Sequence, residues 1–503
     1  MGNSPHITSI HVLDDDSLLN IFYLYRPFFL GEYEDRSAGL NGGTVKWDQE
    51  RWWYRLTHVC QRWRSLTLSS ASYLRLSLVC TNGTPVENML AHSPPLPLTV
   101  DYRGKSITVE DEEGILLALE QRHRVRHLRL ALPIQNLQKL VKAIDEEFPI
   151  LEYLVVDPWP KDSTALVLPE TLQTPHLRHL WLSRFTFPVR PRLHPTAAGL
   201  VTLFLVIEHR STCFQPNVLR QWISFMPQLE RLVIVFSFPV SGHDVERQLT
   251  HTPITTHITL PNLRLFLFKG ASAYLEAFIY QITAPRLKRL HIQFFKEPTF
   301  SISRLVQFMN TTEKPRFGNA MIVFKDNHID VLMSSRREAN RYIFNVTVYC
   351  SHFDQVSFVA QICNALSQVL STVEHLLLQR KVDGQLSEEH NDVDRIEWRN
   401  LLRSFSNAKT LHVEDGLVEE LSRCLRLEDG EPPLELLPEL QKLTYLDSGD
   451  LGDAFASFID ARQNAGRPVS LVSRSPRSSF SNLSSKAPAI TSASGDTGND
   501  IET

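Results

Sequence analysis

Residues 175–182 read PHLRHLWL, and the phrase returns as PQLERLVI (227–234), PNLRLFLF (261–268) and PRLKRLHI (285–292). Stripped of the proline, the shared template is L-x-x-L-x-L. It also occurs as VRHLRL at 125, LEYLVV at 151 and LVTLFL at 200. Weaker copies follow as FGNAMI at 317, VEHLLL at 373, AKTLHV at 408 and LQKLTY at 440. Alternating leucines at the end of each copy put one set of side chains on one face of a strand and the intervening set on the other. Prolines 149, 175, 227, 261 and 285 stand just ahead of these strands, as expected where a helix exits into a tight turn.

Between the copies lie apolar stretches of helical character, among them LQKLVKAIDEEF (137–148), VLRQWISFM (218–226), AYLEAFIYQI (273–282) and SFVAQICNALSQVL (357–370). The first seven copies start 23 to 34 residues apart. A strand followed by a helix at this period is the pattern of a leucine-rich-repeat solenoid, whose repeat is about 20–29 residues. No copy carries the asparagine that forms a ladder in regular repeats, and the copies degenerate after about residue 300. An ordinary α/β domain with unrelated strands is the competing reading, and the recurring Pro-x-Leu phrase argues against it.

Working outward, Arg51–Leu68 (RWWYRLTHVCQRWRSLTL) places Trp52, Leu56, Val59, Cys60 and Trp63 at the spacing of one helix face, with Arg55, Gln61, Arg62 and Arg64 opposite. Upstream, Leu13, Leu18, Ile21, Phe22 and Tyr25 form a second helical face behind Asp14, Asp15 and Asp16, carboxylates that suit a helix start. Pro27 ends or bends that segment. Residues 31–46, with Gly39, Gly42 and Gly43, read as an exposed, mobile loop. Leu74, Leu76, Leu78 and Cys80 alternate as a strand, Leu98–Tyr102 predicts another, and Glu110–Arg124 a helix. The stretch from Ser473 to Thr503 holds nine serines and few large apolar residues, so it is expected to be disordered. Ser475-Pro476 is a common dipeptide that could take a proline-directed phosphate.

The 503 residues carry a formal net charge of −4 and 43% hydrophobic residues. That balance gives no electrostatic reason to expect nucleic acid or an anionic membrane as partner. Six scattered cysteines without CxxC spacing suggest reduced, mostly buried thiols. The start MGNSPHITSI lacks a signal-peptide pattern, and His6 stands where myristoylation needs Ser or Thr. With no long apolar run, the expectation is an intracellular protein, cytoplasmic or nuclear, and Asn82-Gly83-Thr84 has no expected glycosylation role. No HExxH, P-loop, GxGxxG or GxSxG occurs, and SEEHNDVD (387–394) reads more readily as a hydrated loop than as a metal site. No catalytic, cofactor or metal residue is nominated, and an enzyme is not expected.

The two N-terminal segments resemble an F-box, in particular the F-box-like proteins of mushroom-forming fungi. Leu13, Asp16, Leu18, Ile21 and Phe22 correspond to the Leu-Pro-x-Glu-Leu-Leu-x-x-Ile-Phe segment, and Val59, Cys60, Trp63 and Arg64 match Val-Cys-x-x-Trp-Arg. Residues 73–102 resemble the segment that comes after the box in those proteins. Asp14 in place of Pro, Ser17 in place of Leu and the 31–46 insertion are departures. The box itself covers about a tenth of the chain.

Together with the repeats, this reads as an α/β chain: a lead-in (1–12), a helical F-box (13–72), connecting strands and a helix (73–124), an irregular leucine-rich-repeat-like solenoid (125–472), and the tail (473–503). The F-box resemblance implies the substrate-recognition subunit of an SCF-type cullin-RING ubiquitin ligase. Leu13, Leu18, Ile21, Phe22, Val59, Cys60 and Trp63 would dock on a Skp-type adaptor, and the repeats would hold an unknown protein substrate. The alternatives are that these residues merely cap the repeat core, or that the chain is a non-catalytic repeat scaffold with a decayed F-box.

For the repeats, the outward positions of each template are the third and fifth. They are His127 and Arg129, Tyr153 and Val155, His179 and Trp181, Thr202 and Phe204, Arg231 and Val233, Leu265 and Leu267, and Arg289 and His291. Parallel rungs lie about 4.8 Å apart. Tyr153, Trp181 and Phe204 are therefore expected to form a continuous aromatic patch beside Arg129, His179, Arg231 and Arg289, the residue types of protein-binding hot spots. A helix, loop or tail packed over this face is the alternative.

Overall fold

In the computed structural model the Pro-x-Leu phrase is a β-turn. Leu151, Leu177, Leu229, Leu263, Leu287 and Leu440 each donate a backbone N–H to the residue three before, with Pro149, Pro175, Pro227, Pro261, Pro285 and Pro438 in the second turn position. Proline suits that position because its ring presets φ near −65°. The structure describes residues 10–26, 51–159, 166–167, 172–186, 198–208, 215–238, 257–295, 302–311, 317–335, 342–351, 354–381, 392–414, 416–427, 431–432, 434–446 and 454–474. The 31–46 insertion, Ser475 and most of the acidic run at 387–394 lie outside them.

At the second template position of seven copies, one carbonyl receives two N–H groups from the next rung. Glu152 O accepts from Arg178 and His179 at 2.9 and 3.0 Å, and Arg178 O accepts from Val201 and Thr202 at 2.8 and 2.9 Å. Val201, Glu230, Arg264, Glu374 and Lys409 repeat the arrangement. These are second template positions, so the device uses backbone alone and needs no asparagine.

The chain divides into two compact units, residues 1–80 with 87–99 and 479–503, and residues 81–86 with 100–478. Strands β1 (Leu78–Thr81) and β2 (Leu98–Arg103) have residues in both. In the second unit the strands are β3 (Val125–Ala131), β4 (Tyr153–Val156), β5 (Leu166–Val167), β6 (His179–Ser183), β7 (Phe185–Thr186), β8 (Thr202–Ile207), β9 (Arg231–Phe236) and β10 (Ile258–Thr259). They continue as β11 (Leu265–Gly270), β12 (Ile282–Thr283), β13 (Arg289–Phe294), β14 (Phe317–Lys325), β15 (His328–Ser335), β16 (Tyr342–Tyr349), β17 (His375–Lys381), β18 (Thr410–Val413), β19 (Lys442–Leu446) and β20 (Ser470–Arg474).

From β3 the large sheet runs β3-β4-β6-β8-β9-β11-β13-β16-β15-β14-β17-β18-β19-β20, and β5-β7 and β10-β12 are separate pairs. The pairings are parallel except those of β15 with β14 and β16. All eleven template copies are strands of this sheet, and with the helices between them they make an α/β repeat solenoid. The template missed β15 and β16, which form an antiparallel meander with β14 laid into the sheet in reversed order. Ser473 and Arg474 belong to β20 rather than to a tail.

Inward template residues close the core. Leu128, Leu154, Leu203, Ile234, Phe268 and Ile292 are fully buried. Helices of successive repeats lie side by side, Pro216–Ile223 beside Ser272–Ile279 and that beside Ser303–Asn310. At the end of β11, Phe236 meets Tyr274 edge to face, centroids 4.6 Å apart, and lies tilted against Phe268, whose ring is nearly parallel to that of Tyr274. A Cβ on Gly270 would sit 2.8 Å from ring carbons of both Phe236 and Phe268.

In the first unit, Asp15–Tyr25 is helical because Asp14 caps it, accepting from Ser17 N at 2.7 Å. That hydrogen bond holds the Asp14 carboxyl below the usual range. The departure from proline at this position thus supplies a working N-cap. The expected single helix over 51–68 is two, Trp52–Thr57 and Gln61–Ser69. Cys60 is extended between them, and its Sγ accepts from Trp63 N at 3.5 Å. The expected strand at 74–80 begins only at Leu78, since Ala71–Leu74 is helical and Arg75 takes a left-handed φ of 52°.

Gly270→Ala should destabilise the repeat unit by about 1–3 kcal/mol through overpacking against the two rings. Denaturant unfolding checks this, and an unchanged midpoint would show that the rings can give way.

Candidate functional site: the outward face of the rungs

The strand register builds the face row by row. Third template positions pair in the order His127, Tyr153, His179, Thr202, Arg231, Leu265 and Arg289. Fifth positions pair as Arg129, Val155, Trp181, Phe204, Val233, Leu267, His291 and then Asn345. The expected rows are therefore present, but they divide the expected aromatic patch. Trp181 and Phe204 stack, centroids 3.8 Å apart at 14°. Tyr153 lies in the other row, between His127 at 6.0 Å and His179 at 5.9 Å. The split follows from strand pleat: third and fifth positions share a face but not a row.

The Trp181–Phe204 stack packs against Val233, Val235 and Leu265, with Val206 and Leu267 at its border. Phe204 is 9% exposed and Val233 2%, while Trp181 and Leu267 are half-buried. The centre of the face is thus an apolar strip, accessible mainly through Trp181 and Leu267. Arg129, Tyr153, His179, Arg231 and Arg289 are half-buried around it.

Burial sets the histidine charges. His127, His179 and His291 are pushed down to about 4, chiefly by desolvation and next by neighbouring arginines. They are neutral at pH 7, so Arg and Lys alone supply positive charge there.

A charged border that the template did not reveal runs from within β2 and β3 to just past the ends of β4, β6 and β8. Asp101 is bound by Arg103, whose Nε donates at 2.8 Å. Arg184, 1% exposed and at a φ of 60°, pairs with Glu208. Asp157 lies among Ser183, Arg184 and Arg129, and burial raises both Asp101 and Asp157 above the carboxylate range despite those cations. These residues lie in no repeated position except Arg129. The available signal was only a charge directly following an apolar strand, as Asp157, Arg184 and Glu208 do.

In the first unit the nominated residues separate. Leu18 and Phe22 are fully buried, and Trp63 meets the Phe22 ring edge-on at 4.8 Å. Leu13, Cys60 and Trp63 are half-buried, whereas Ile21 is 41% and Val59 58% exposed. Arg62 ties the two segments, donating to Asp15 Oδ1 and to Leu13 O at 2.7 Å each. Val12 (80%), Leu24 (69%) and Tyr25 (50%) are among the exposed apolar residues of this unit outside the nominated set. Ile21, Leu24 and Tyr25 stand at i, i+3 and i+4, so the sequence held that signal beside the inward pair Leu18 and Phe22.

Among the described residues, no three His, Cys, Asp or Glu side chains are grouped to hold a metal ion, and no helix is long and apolar enough to cross a membrane. No disulfide joins the five described cysteines, four of which are buried. Burial pushes the Cys424 thiol to about 12 and raises Cys363 as well, so neither is a ready nucleophile.

No family model matches the chain, and no curated protein matches it. Among solved structures it is similar to the leucine-rich repeat-containing protein LegL7 from Legionella pneumophila. The identity is 13%, the overlap covers 78% of this chain and 98% of that one, and the TM-score is 0.24. A likeness so loose says nothing about what the chain binds.

The histidines predict a pH dependence. An unfolded histidine titrates near 6.5 and these three near 4, so between those values the unfolded chain holds more protons. Their stabilising contribution should be complete above pH 6.5 and fall as pH drops to 4. Urea midpoints measured across that window should decline, less steeply for His127→Gln and His291→Gln. Identical slopes in wild type and variants would refute it.

Proposed function

We propose that the chain is a non-catalytic recognition protein, the substrate-binding subunit of an SCF-type cullin-RING ubiquitin ligase. The N-terminal helices would dock on a Skp-type adaptor, and the rung face would hold a protein substrate near the charged ubiquitin-conjugating enzyme. The chain would perform no bond chemistry. Its contribution would be proximity, which makes ubiquitin transfer effectively intramolecular.

The observation that carries this reading is the exposed apolar face of Ile21, Leu24 and Tyr25 on one helix, with Val59 exposed on the second of the segments that resemble an F-box. Exposed apolar side chains grouped in this way mark a protein-binding surface. Docking would use Ile21 and Val59 directly. Leu18, Phe22 and Trp63 would shape the surface from beneath.

One observation favours a second reading, a repeat scaffold without a ligase role. Leu18 and Phe22 are wholly buried, so the apolar residues of the first segment also suffice to close a small helical core. Under that reading the N-terminal unit has a structural task only.

Co-expression with a Skp-type adaptor separates the two. The ligase reading expects co-purification at micromolar concentration, lost in an Ile21→Glu, Val59→Glu double variant that still unfolds cooperatively. Absence of any complex with the wild-type chain would sink it. At the other surface, Trp181→Glu should abolish capture of the protein substrate while leaving the adaptor complex intact.

A further inference from the structure

Between β1 and the helix Val86–His92 the chain turns over Thr81–Thr84, and the turn contains the dipeptide Asn82-Gly83. Thr84 N donates to Thr81 O at 2.9 Å, Thr81 N donates to Thr84 Oγ1 at 3.0 Å, and Gly83 stands at a φ of 74°. Asn82 and Gly83 are exposed, and a Cβ on Gly83 would meet nothing within 4 Å. An asparagine followed by glycine carries its own reaction. The glycine amide nitrogen can close a succinimide ring on the asparagine Cγ, and glycine has no side chain to obstruct the approach.

Two hydrogen bonds hold the reacting groups. The Gly83 N–H donates to Asp111 Oδ1 at 2.7 Å, and Asn82 Oδ1 accepts from Arg103 N at 3.2 Å. Asp111 is only 6% exposed and is placed by the start of its helix, Val109–Glu120, where its own N–H donates to Thr108 Oγ1 at 3.1 Å. All of these residues belong to the repeat unit. Ring closure needs the Gly83 nitrogen to lose its proton and turn its lone pair toward Cγ. The bond to Asp111 fixes the plane of that peptide and keeps the proton from bases in water. Removing it in place would also set an anionic nitrogen beside a carboxylate, which like-charge repulsion opposes.

We propose that Asn82 is a deamidation site held closed by Asp111, so that the turn modifies itself only when it opens. On opening, a base in water takes the Gly83 amide proton and the Gly83 nitrogen bonds to Asn82 Cγ. The Cγ–Nδ2 bond then breaks, and Nδ2 takes up a proton and leaves as ammonia. Water adds to either carbonyl of the succinimide, which leaves an aspartyl or an isoaspartyl residue at position 82. The isoaspartyl product runs the main chain through Cβ and Cγ, so the turn gains a backbone atom that the bond from Thr84 N to Thr81 O does not accommodate. The lesion falls where the chain crosses between the compact units, after Cys80 and before Glu87.

Peptide mapping of the full-length chain held at neutral pH, with isoaspartyl content at position 82 followed over time, tests this. Conversion should be slow in the native chain and fast in the urea-unfolded one. Asp111→Ala should speed it by at least roughly tenfold, the factor that one hydrogen bond to a charged acceptor supplies. Glu112→Ala removes contacts to Asn136 and Lys139 at the same helix start without touching the Gly83 N–H, and should leave the rate unchanged. Equal rates in native and unfolded chain, no acceleration by Asp111→Ala, or equal acceleration by Glu112→Ala would overturn the proposal. If Asp111→Ala does not fold, the wild-type chain decides alone. Low urea concentrations that speed exchange of the Gly83 amide proton should then speed conversion of Asn82 by the same factor, because both need the same local opening. Conversion that does not follow that exchange refutes the gate.

Discussion

Most rungs hang on a single backbone carbonyl that receives two N–H groups from the rung after it. Glu152, Arg178, Val201, Glu230 and Arg264 do this in unbroken succession, although their side chains share no chemistry. Because the donors are always the second and third template residues of the next strand, slippage by one residue would break both bonds at once. It would also turn every leucine from the core to the outer face. The preceding Pro-x-Leu turn brings the chain to that carbonyl in a fixed direction. Regular repeats join their rungs with an asparagine ladder; here turn and carbonyl suffice, and Phe405–Ala408 and Leu370–Val373 form the same turn without proline.

Fixed register is what makes an outer face at all. The fifth-position row continues past His291 through Asn345, Leu332, Met321, Leu377 and His412, crossing the reversed meander without a break. The meander changes the order of the strands and the direction of one, yet the rows remain aligned because paired strands keep facing residues opposite each other whichever way they run. A change of topology is therefore compatible with one continuous surface.

The sequence made most of the solenoid legible, and the reasons for its failures are specific. All eleven template copies became strands because the leucine spacing is imposed by burial, which no other arrangement satisfies. β15 and β16 were missed since HIDVLMSS and YIFNVTVY alternate as strands do but lack the turn-and-carbonyl phrase. At Thr57–Cys60 the apolar spacing runs on while the helix stops, because Thr57 O is taken by Arg64 Nε at 2.9 Å and Cys60 begins a new helix. Periodicity reports which side is apolar, not whether the backbone is continuous. It also left open which apolar side of Asp15–Tyr25 faces inward, and the choice of Leu18 and Phe22 follows from Trp63 being there to receive them. The pairing of Arg184 with Glu208 was out of reach, since it depends on a left-handed residue joining two rungs 24 positions apart.

The electrostatic character of the outer face follows from the same burial. Histidine is the side chain whose charge ordinarily changes near neutrality, and His127, His179 and His291 all stand on this face. Packed between neighbouring rungs, and near arginines that repel a second positive charge, they are held near 4 and add none. Arg231, Lys269 and Arg289 then define the positive positions on the central rungs, and the three histidines leave that pattern unchanged across the physiological range. The selectivity of this face would come from where the cations stand relative to the Trp181–Phe204 stack, not from a change in protonation.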